Sequence, residues 1–85
     1  MTEVFEGNEQ DFSEKTSKGV WLIKFFADWC GPCSQTKTPF DAHVAGSAHE
    51  GLEVDVEANG NVAVAFNVLS IPTVVVLRDG EEVGL

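Results

Sequence analysis

Cysteine and basic residues are both scarce in this chain of 85 residues. Its two cysteines are Cys30 and Cys33, and five lysines and arginines stand against 14 aspartates and glutamates, which gives a formal charge of −9. Two cysteines this close in sequence cannot join distant parts of a chain, so a stapling disulfide framework is excluded. The shortage of Lys and Arg argues against nucleic acid as a partner, because binding a phosphate backbone requires cations that displace counterions.

Long hydrophobic runs and targeting signals are also missing. No stretch is long and apolar enough to span a membrane, and the opening residues MTEVFEGNEQ are acidic where a secretory signal would be basic and then apolar. We therefore expect a protein without membrane contact that is kept in the cytoplasm. The acidity has two interpretations, solubility in a salty cytoplasm or attraction of a basic partner, and the first is the simpler.

Helical and strand patterns alternate along the chain without repeats, linkers or low-complexity tracts. This length fits one domain, residues 1–85, which buries only about 60–65% of its unfolded surface. The alternation predicts an α/β architecture. The predicted strands are residues 3–5, 20–27, 52–56, 73–77 and 81–85, and the predicted helices are residues 9–18, 32–44 and 61–66.

Glycine and proline mark the ends and irregularities of these elements. Gly19 is predicted to end the first helix. Pro39 falls inside the second helix and removes a backbone hydrogen bond there, which predicts a bend near residues 35–39. Asp79-Gly80 is a strong signal for a two-residue hairpin turn, so the last strand is expected to return beside residues 73–77.

The chemically informative segment is Ala-Asp-Trp-Cys-Gly-Pro-Cys, residues 27–33. Pro32 suits the first turn of a helix, where its missing N–H costs nothing, so the two thiols lie about one turn apart at a strand-to-helix junction. Unpaired N–H groups and the helix dipole stabilise a thiolate at Cys30, which lowers its pKa below the value of about 8.5 for a free thiol. Cys30 is the predicted nucleophile, and Cys33 the predicted thiol that resolves the mixed disulfide.

Two other roles for the cysteine pair stay open at this point. The Cys-x-x-Cys spacing also occurs in zinc sites, but such sites need four ligands, and His43 and His49 are the only further His or Cys residues. We therefore predict no metal and no other cofactor. A purely structural pair is the remaining alternative, although an inert buried pair would not require the surrounding Trp and Gly-Pro.

The segment from Trp29 to Cys33 resembles the active-site motif of the thioredoxin family, and the similarity covers most of residues 20–82. Residues 25–28 and 54–59 look like two core strands of the family, and residues 63–73 resemble its approach to a cis-proline. The resemblance implies a thioredoxin-like α/β fold with a central mixed sheet of four to five strands flanked by helices. Family members usually continue into a terminal helix, whereas this chain ends at Leu85, so the resemblance implies a minimal version or a truncated sequence.

The resemblance also assigns roles to individual residues. The Ile71–Pro72 peptide would be cis and lie opposite the motif, where the backbone pairs with an extended substrate segment. Trp29 would cover the thiols. The implied substrate-contacting positions are Trp29, Gly31, Pro32, Ile71, Pro72 and Thr73.

Several positions depart from the family pattern, among them Pro39, which lies one residue later after Cys33 than the usual helix proline of the family, and two charged residues of the core strands. Lys24 stands where thioredoxins usually carry a buried aspartate, and Glu53 stands where the neighbouring strand often carries a lysine. We hypothesise a reversed pair of Lys24 and Glu53 in the same place, which tunes the thiol pKa values and proton transfer. The alternative is that Lys24 extends past Trp21 to solvent.

The function implied by the resemblance is reduction of protein disulfides by dithiol-disulfide exchange. The implied partners are protein disulfide substrates, a recycling enzyme of the thioredoxin reductase type, and ribonucleotide reductase as a client. One alternative is a glutaredoxin-like carrier, for which the chain supplies few basic groups to hold the carboxylates of glutathione. A second alternative is a binding or accessory module with a thioredoxin fold and no catalysis.

Overall fold

The computed structural model describes the backbone of residues 2–46 and 49–84, and the side chains of residues 3–31, 39–46 and 49–83. Within these residues five strands and three helices alternate, as the sequence predicts. In chain order they are β1 (Thr2–Val4), α1 (Glu9–Lys15), β2 (Val20–Phe26), α2 (Gly31–Ala45), β3 (Glu50–Asp55), α3 (Gly60–Ala65), β4 (Thr73–Arg78) and β5 (Glu81–Gly84). None of the helices described is both long and apolar enough to cross a membrane.

The strands form one mixed sheet in the order β1-β3-β2-β4-β5. The central strand β2 pairs in parallel with β3 and antiparallel with β4, and β5 returns antiparallel beside β4. Because β2 is central and covered on both faces, its sequence is a nearly continuous apolar run. The end of β2 therefore delivers the chain from the middle of the sheet to Cys30.

Two apolar clusters lie on opposite faces of β2, since successive side chains of a strand alternate between faces. Ile23 and Phe25 have no exposed surface and pack with Phe12 of α1 in the larger cluster. Leu22 packs with Phe40 of α2 on the other face. Complete burial of such a side chain contributes about 1.5–3 kcal/mol, so these contacts fix α2 and the motif at its start against the sheet.

The first helix ends earlier than the sequence predicts. A reciprocal capping box starts α1, with the Asn8 side chain accepting from the Asp11 N–H and the Asp11 side chain accepting from the Asn8 N–H, both at 2.9 Å. The helix ends at Lys15 because Thr16 caps it, and the Thr16 hydroxyl donates to the Phe12 carbonyl at 3.0 Å. The prediction that the helix extends to residue 18 and ends at Gly19 is therefore wrong.

The hairpin prediction is confirmed. Asp79 and Gly80 both have positive φ, 51° and 86°, as the two central residues of such a turn require. The Asp79 carboxylate also accepts from the Gly19 N–H at 2.9 Å, and the Asp79 N–H donates to the Gly19 carbonyl at 2.9 Å. The turn is thus tied to the loop before β2.

The remaining differences concern element ends. Strand β1 begins and ends one residue before its prediction, while β3 starts two residues before its prediction and ends one residue before it. Helix α2 continues through Pro39, and the bend predicted near residues 35–39 stays a prediction. Leu85, the predicted last residue of the final strand, lies outside the described residues. Strand ends depend on the partner strand, which the sequence pattern alone does not specify.

Candidate active site

The junction between β2 and α2 carries Cys30. After β2 ends at Phe26, the Cys30 N–H donates to the Ala27 carbonyl at 3.0 Å and closes a turn immediately before the helix begins at Gly31. Cys30 is 6% exposed and disulfide-bonded. The backbone of Cys33 belongs to the start of α2, whereas the side chains of Pro32 and Cys33 lie outside the described part of the structure. The strand-to-helix junction predicted from the sequence is therefore present at the first cysteine.

The loop before β4 lies against this junction. The Ile71–Pro72 peptide is cis, which is the geometry that the resemblance implied. Ile71 packs against the buried pair formed by Ala27 and Cys30. Thr73 begins β4, and its hydroxyl donates to the Ser70 carbonyl. Two segments that are about 40 residues apart in sequence are thus brought together.

An apolar groove of about 320 Å³ is lined by Trp29, the residue before Cys30, and by Ile71, which packs against Ala27 and Cys30. The side chains of Trp29 and Leu69 are 69% and 88% exposed, although both are large and apolar. Contiguous exposed apolar surface of this kind marks a place where another molecule docks. The residues that line this groove, called the apolar groove below, are Trp29, Val56, Ala63, Val68, Leu69, Ser70 and Ile71.

A larger cleft of about 550 Å³ shares the residues that lead into the motif, Phe26, Ala27 and Asp28. It is called the acidic cleft below, because four carboxylate residues and one lysine contribute to its lining. These charged residues are Glu6, Asp28, Glu53, Asp55 and Lys24.

Lys24 and Glu53 are buried side by side on the two central parallel strands. They are 2% and 5% exposed, and their Cα atoms are register partners, so both side chains project from the same face of the sheet. That face is covered by α2, and the Lys24 Nζ lies 5.9 Å from the centroid of the Phe40 ring. The alternative in which Lys24 extends past Trp21 to solvent is wrong, because residues three apart on a strand face opposite sides and α2 covers Lys24.

The sequence predictions missed several residues that complete the two cavities. Leu69 and Val56 line the apolar groove, and Glu6 and Asp28 line the acidic cleft. Leu69 gave one available signal, since it is a large apolar residue outside every predicted element. Asp28 is only two residues from Cys30 in the chain, whereas Val56 and Glu6 belong to separate segments that the topology of the sheet brings to these cavities. Among the described residues, no group of three or more His, Cys, Asp or Glu side chains could hold a metal ion.

Comparison with known proteins gives one consistent family. The family model described as Thioredoxin matches residues 3–84. Among curated proteins, the thioredoxin of Bacillus subtilis is 38% identical over 82 residues, covering 94% of this chain and 79% of the relative. The thioredoxin of Staphylococcus epidermidis is 40% identical over 79 residues, covering 88% of this chain and 74% of the relative.

Solved structures agree with the sequence comparison. A mutant thioredoxin from Halobacterium salinarum superposes with a TM-score of 0.86 at 29% identity, covering 96% of this chain and 73% of that one. A thioredoxin from Malassezia sympodialis superposes with a TM-score of 0.87 at 27% identity, covering 96% and 76%. The five-stranded mixed sheet flanked by helices is thus the fold of these proteins.

Proposed function

This chain belongs to the thioredoxin family and is a thiol-disulfide oxidoreductase of the protein-disulfide reductase type, and we propose that Cys30 and Cys33 carry its chemistry. The observation that carries the proposal is the position of Cys30. This residue is disulfide-bonded, precedes the first turn of α2 and packs against Ile71, which also lines the apolar groove. A sulfur at this place can be stabilised as a thiolate and still meet a bound substrate.

The exchange proceeds in two displacements from the dithiol form. The Cys30 thiolate, stabilised by the N–H groups at the start of α2, attacks one sulfur of a substrate disulfide. The substrate S–S bond breaks, one substrate thiolate leaves, and a mixed disulfide joins Cys30 to the substrate. Cys33 then loses its proton and attacks the Cys30 sulfur, which forms the Cys30–Cys33 disulfide and releases the second substrate thiolate. Two electrons have passed to the substrate, and the protein itself serves as the redox group without a metal or other cofactor.

Substrate binding is assigned to the apolar groove and the loop before β4. Trp29 and Leu69 offer exposed apolar surface, and Ile71 packs against Ala27 and Cys30. We expect the backbone of Ile71, Pro72 and Thr73 to pair there with an extended segment of the substrate. Gly31 and Pro32 complete the motif at the start of α2. Binding an extended segment here holds its disulfide next to the attacking sulfur.

Lys24 and Glu53 are proposed to tune the thiols. Their burial and their register across β2 and β3 support the reversed pair, and both line the acidic cleft that reaches Ala27. A positive charge near a thiol favours the thiolate and a negative charge disfavours it. The two side chains therefore set the pKa of the reactive sulfur in opposite directions.

The expected partners follow from the two electrons that each turnover transfers to the substrate. Each turnover leaves a disulfide in the chain, so a recycling enzyme of the thioredoxin reductase type must return two electrons. Protein disulfides are the substrates, with ribonucleotide reductase among the expected clients. We propose that the chain works in the cytoplasm, where protein thiols are kept reduced.

Insulin reduction driven by dithiothreitol tests the proposed function. The wild-type chain should accelerate reduction, Cys30→Ser should abolish the acceleration, and circular dichroism should show that the variant retains its fold. Cys33→Ser should lose turnover while still reacting once with the substrate. A folded wild-type chain without activity would favour a binding module, and recycling by glutathione alone would favour a glutaredoxin-like carrier.

A further inference from the structure

The charges around Cys30 are distributed unevenly, and we infer that they select disulfide substrates that carry Lys or Arg beside the reacting cysteine. The inference rests on the proposed function, because it names the substrate class of the same site. The expected occupant of the apolar groove is an extended cationic segment of a disulfide-bonded protein, with an apolar side chain against Trp29 and Leu69.

The exposed cations whose side chains are described lie at the far end of the sheet. Arg78 pairs with the first residue of β2. The Trp21 Nε1 donates to the Lys18 carbonyl at 3.0 Å, and the Lys15 Nζ lies 5.8 Å from the Trp21 ring centroid. Cys30 follows the other end of β2. A strand of seven residues spans about 20 Å, more than twice the Debye length of about 8 Å at physiological salt, so these cations are screened from the motif.

Two exposed acidic residues are the chain neighbours of residues that line the apolar groove. Asp28 is exposed and directly precedes Trp29, and Glu57 is exposed and directly follows Val56. The Asp55 carboxylate accepts from the Glu57 N–H at 2.8 Å, which fixes the turn that carries Glu57. Both Trp29 and Val56 line the groove, so an acidic residue adjoins each of them in the chain.

Among the side chains that the structure describes near Cys30, no accessible lysine or arginine offsets the charge of these acidic residues. Lys24 is the single lysine lining the acidic cleft; it is 2% exposed and has the buried Glu53 as its register partner. Glu6 and Asp55 add further negative charge to the same cleft. For the side chains that the structure describes, the accessible surface near the reactive sulfur is therefore apolar in the groove and carries acidic residues around it.

This arrangement has a kinetic consequence. Fields from a surface of one sign raise the association rate of oppositely charged molecules by about ten- to thousandfold, and the gain falls steeply with ionic strength. Disulfide exchange begins with a bimolecular encounter, so kcat/KM includes that association together with the exchange step. A cationic substrate should be reduced faster than an anionic one of the same shape, with the difference greatest at low salt.

The test uses three disulfide-linked peptides that differ only in flanking Arg, Gln or Glu residues. For the wild-type chain at about 10 mM ionic strength, kcat/KM should fall in the order Arg, Gln, Glu, with at least about a tenfold difference between the extremes. At about 1 M the three values should converge, because the Debye length is then about 3 Å. Equal values at low salt, or a preference for Glu, would overturn the inference.

A pair of double variants separates local charge from total charge. The double variants are compared at physiological ionic strength, where the Debye length is about 8 Å and charges at the far end of the sheet are screened from the groove. Asp28→Asn with Glu57→Gln should reduce the Arg-to-Glu ratio by about threefold or more. Glu81→Gln with Glu82→Gln removes the same total charge at the far end of the sheet and should leave the ratio unchanged. An equal effect of both double variants would overturn the assignment to the groove. Reduction of the Gln peptide by the wild-type chain keeps the proposed function intact whatever the ratio, whereas failure to reduce any peptide overturns both.

Discussion

Lys24 and Glu53 occupy neighbouring positions on the two central strands, and each is almost wholly buried. Taking a charge out of water costs several kcal/mol unless an opposite charge and hydrogen bonds compensate for it. The sequence indicated this pair because both residues differ from the family pattern in opposite senses. It did not indicate their burial, which depends on α2 covering that face of the sheet.

Removing one charge of the pair should destabilise the fold more than removing both. Lys24→Met leaves the Glu53 carboxylate buried without its opposite charge, so the free energy of unfolding should fall by about 3–5 kcal/mol. The double variant Lys24→Met with Glu53→Leu should recover most of that loss. Urea denaturation of the wild-type chain, the two single variants Lys24→Met and Glu53→Leu, and the double variant measures the interaction free energy of the pair in a double-mutant cycle. Additive losses would show that the two side chains do not interact.

The reactivity of Cys30 should respond to the two charges in opposite directions. Lys24→Met removes a positive charge and should raise the pKa of the Cys30 thiol. The pH profile of the alkylation rate should therefore shift to higher pH than in the wild-type chain. Glu53→Gln removes a negative charge and should lower that pKa. The pH profile of iodoacetamide alkylation, followed by mass spectrometry, measures both shifts. Shifts of the same sign would contradict the proposed tuning.

At the scale of elements, the hydrophobic periodicity predicted whether a segment is a helix or a strand. Local contacts decided at which residue each element ends. The apolar run of β2 and the Asp79-Gly80 turn were predictable because burial on two faces and positive φ each demand particular residue types. The end of α1 was not, because Thr16 stops the helix with a side-chain hydrogen bond to the Phe12 carbonyl. A threonine can either continue a helix or end it, so the sequence favoured Gly19 as the end of α1 instead.

Two glycines in different elements provide a matched test of this account. Gly80 has a φ of +86°, and a Cβ there would meet only ordinary contacts, so Gly80→Ala should cost about 1–2 kcal/mol from the backbone conformation alone. Gly60 begins α3 and a Cβ there would meet nothing within 4 Å, so Gly60→Ala should stabilise by about 0.4–1 kcal/mol. Thermal and urea denaturation measure both. A Gly80→Ala variant as stable as the wild-type chain would contradict the turn assignment.

At the scale of the whole molecule, the site is assembled from three distant segments. The motif follows β2, Val56 follows β3, and Ile71 precedes β4, and the strand order β3-β2-β4 makes these segments neighbours. The sequence predicted Cys30 from its own motif, but the approach of Ile71 came only from the family resemblance. The apolar groove and the acidic cleft could not be predicted, because spacing along the chain carries no information on which loops meet at one end of a sheet.

Trapping of the mixed disulfide tests the central claim most directly. Cys33→Ser leaves Cys30 able to attack a protein disulfide but unable to release it, so mass spectrometry should find a covalent adduct with the substrate attached at Cys30. Cys30→Ser, with the second cysteine retained, should form no adduct under the same conditions. Equal adduct formation by both variants, or an adduct formed only through Cys33, would contradict the assignment of Cys30 as the attacking sulfur.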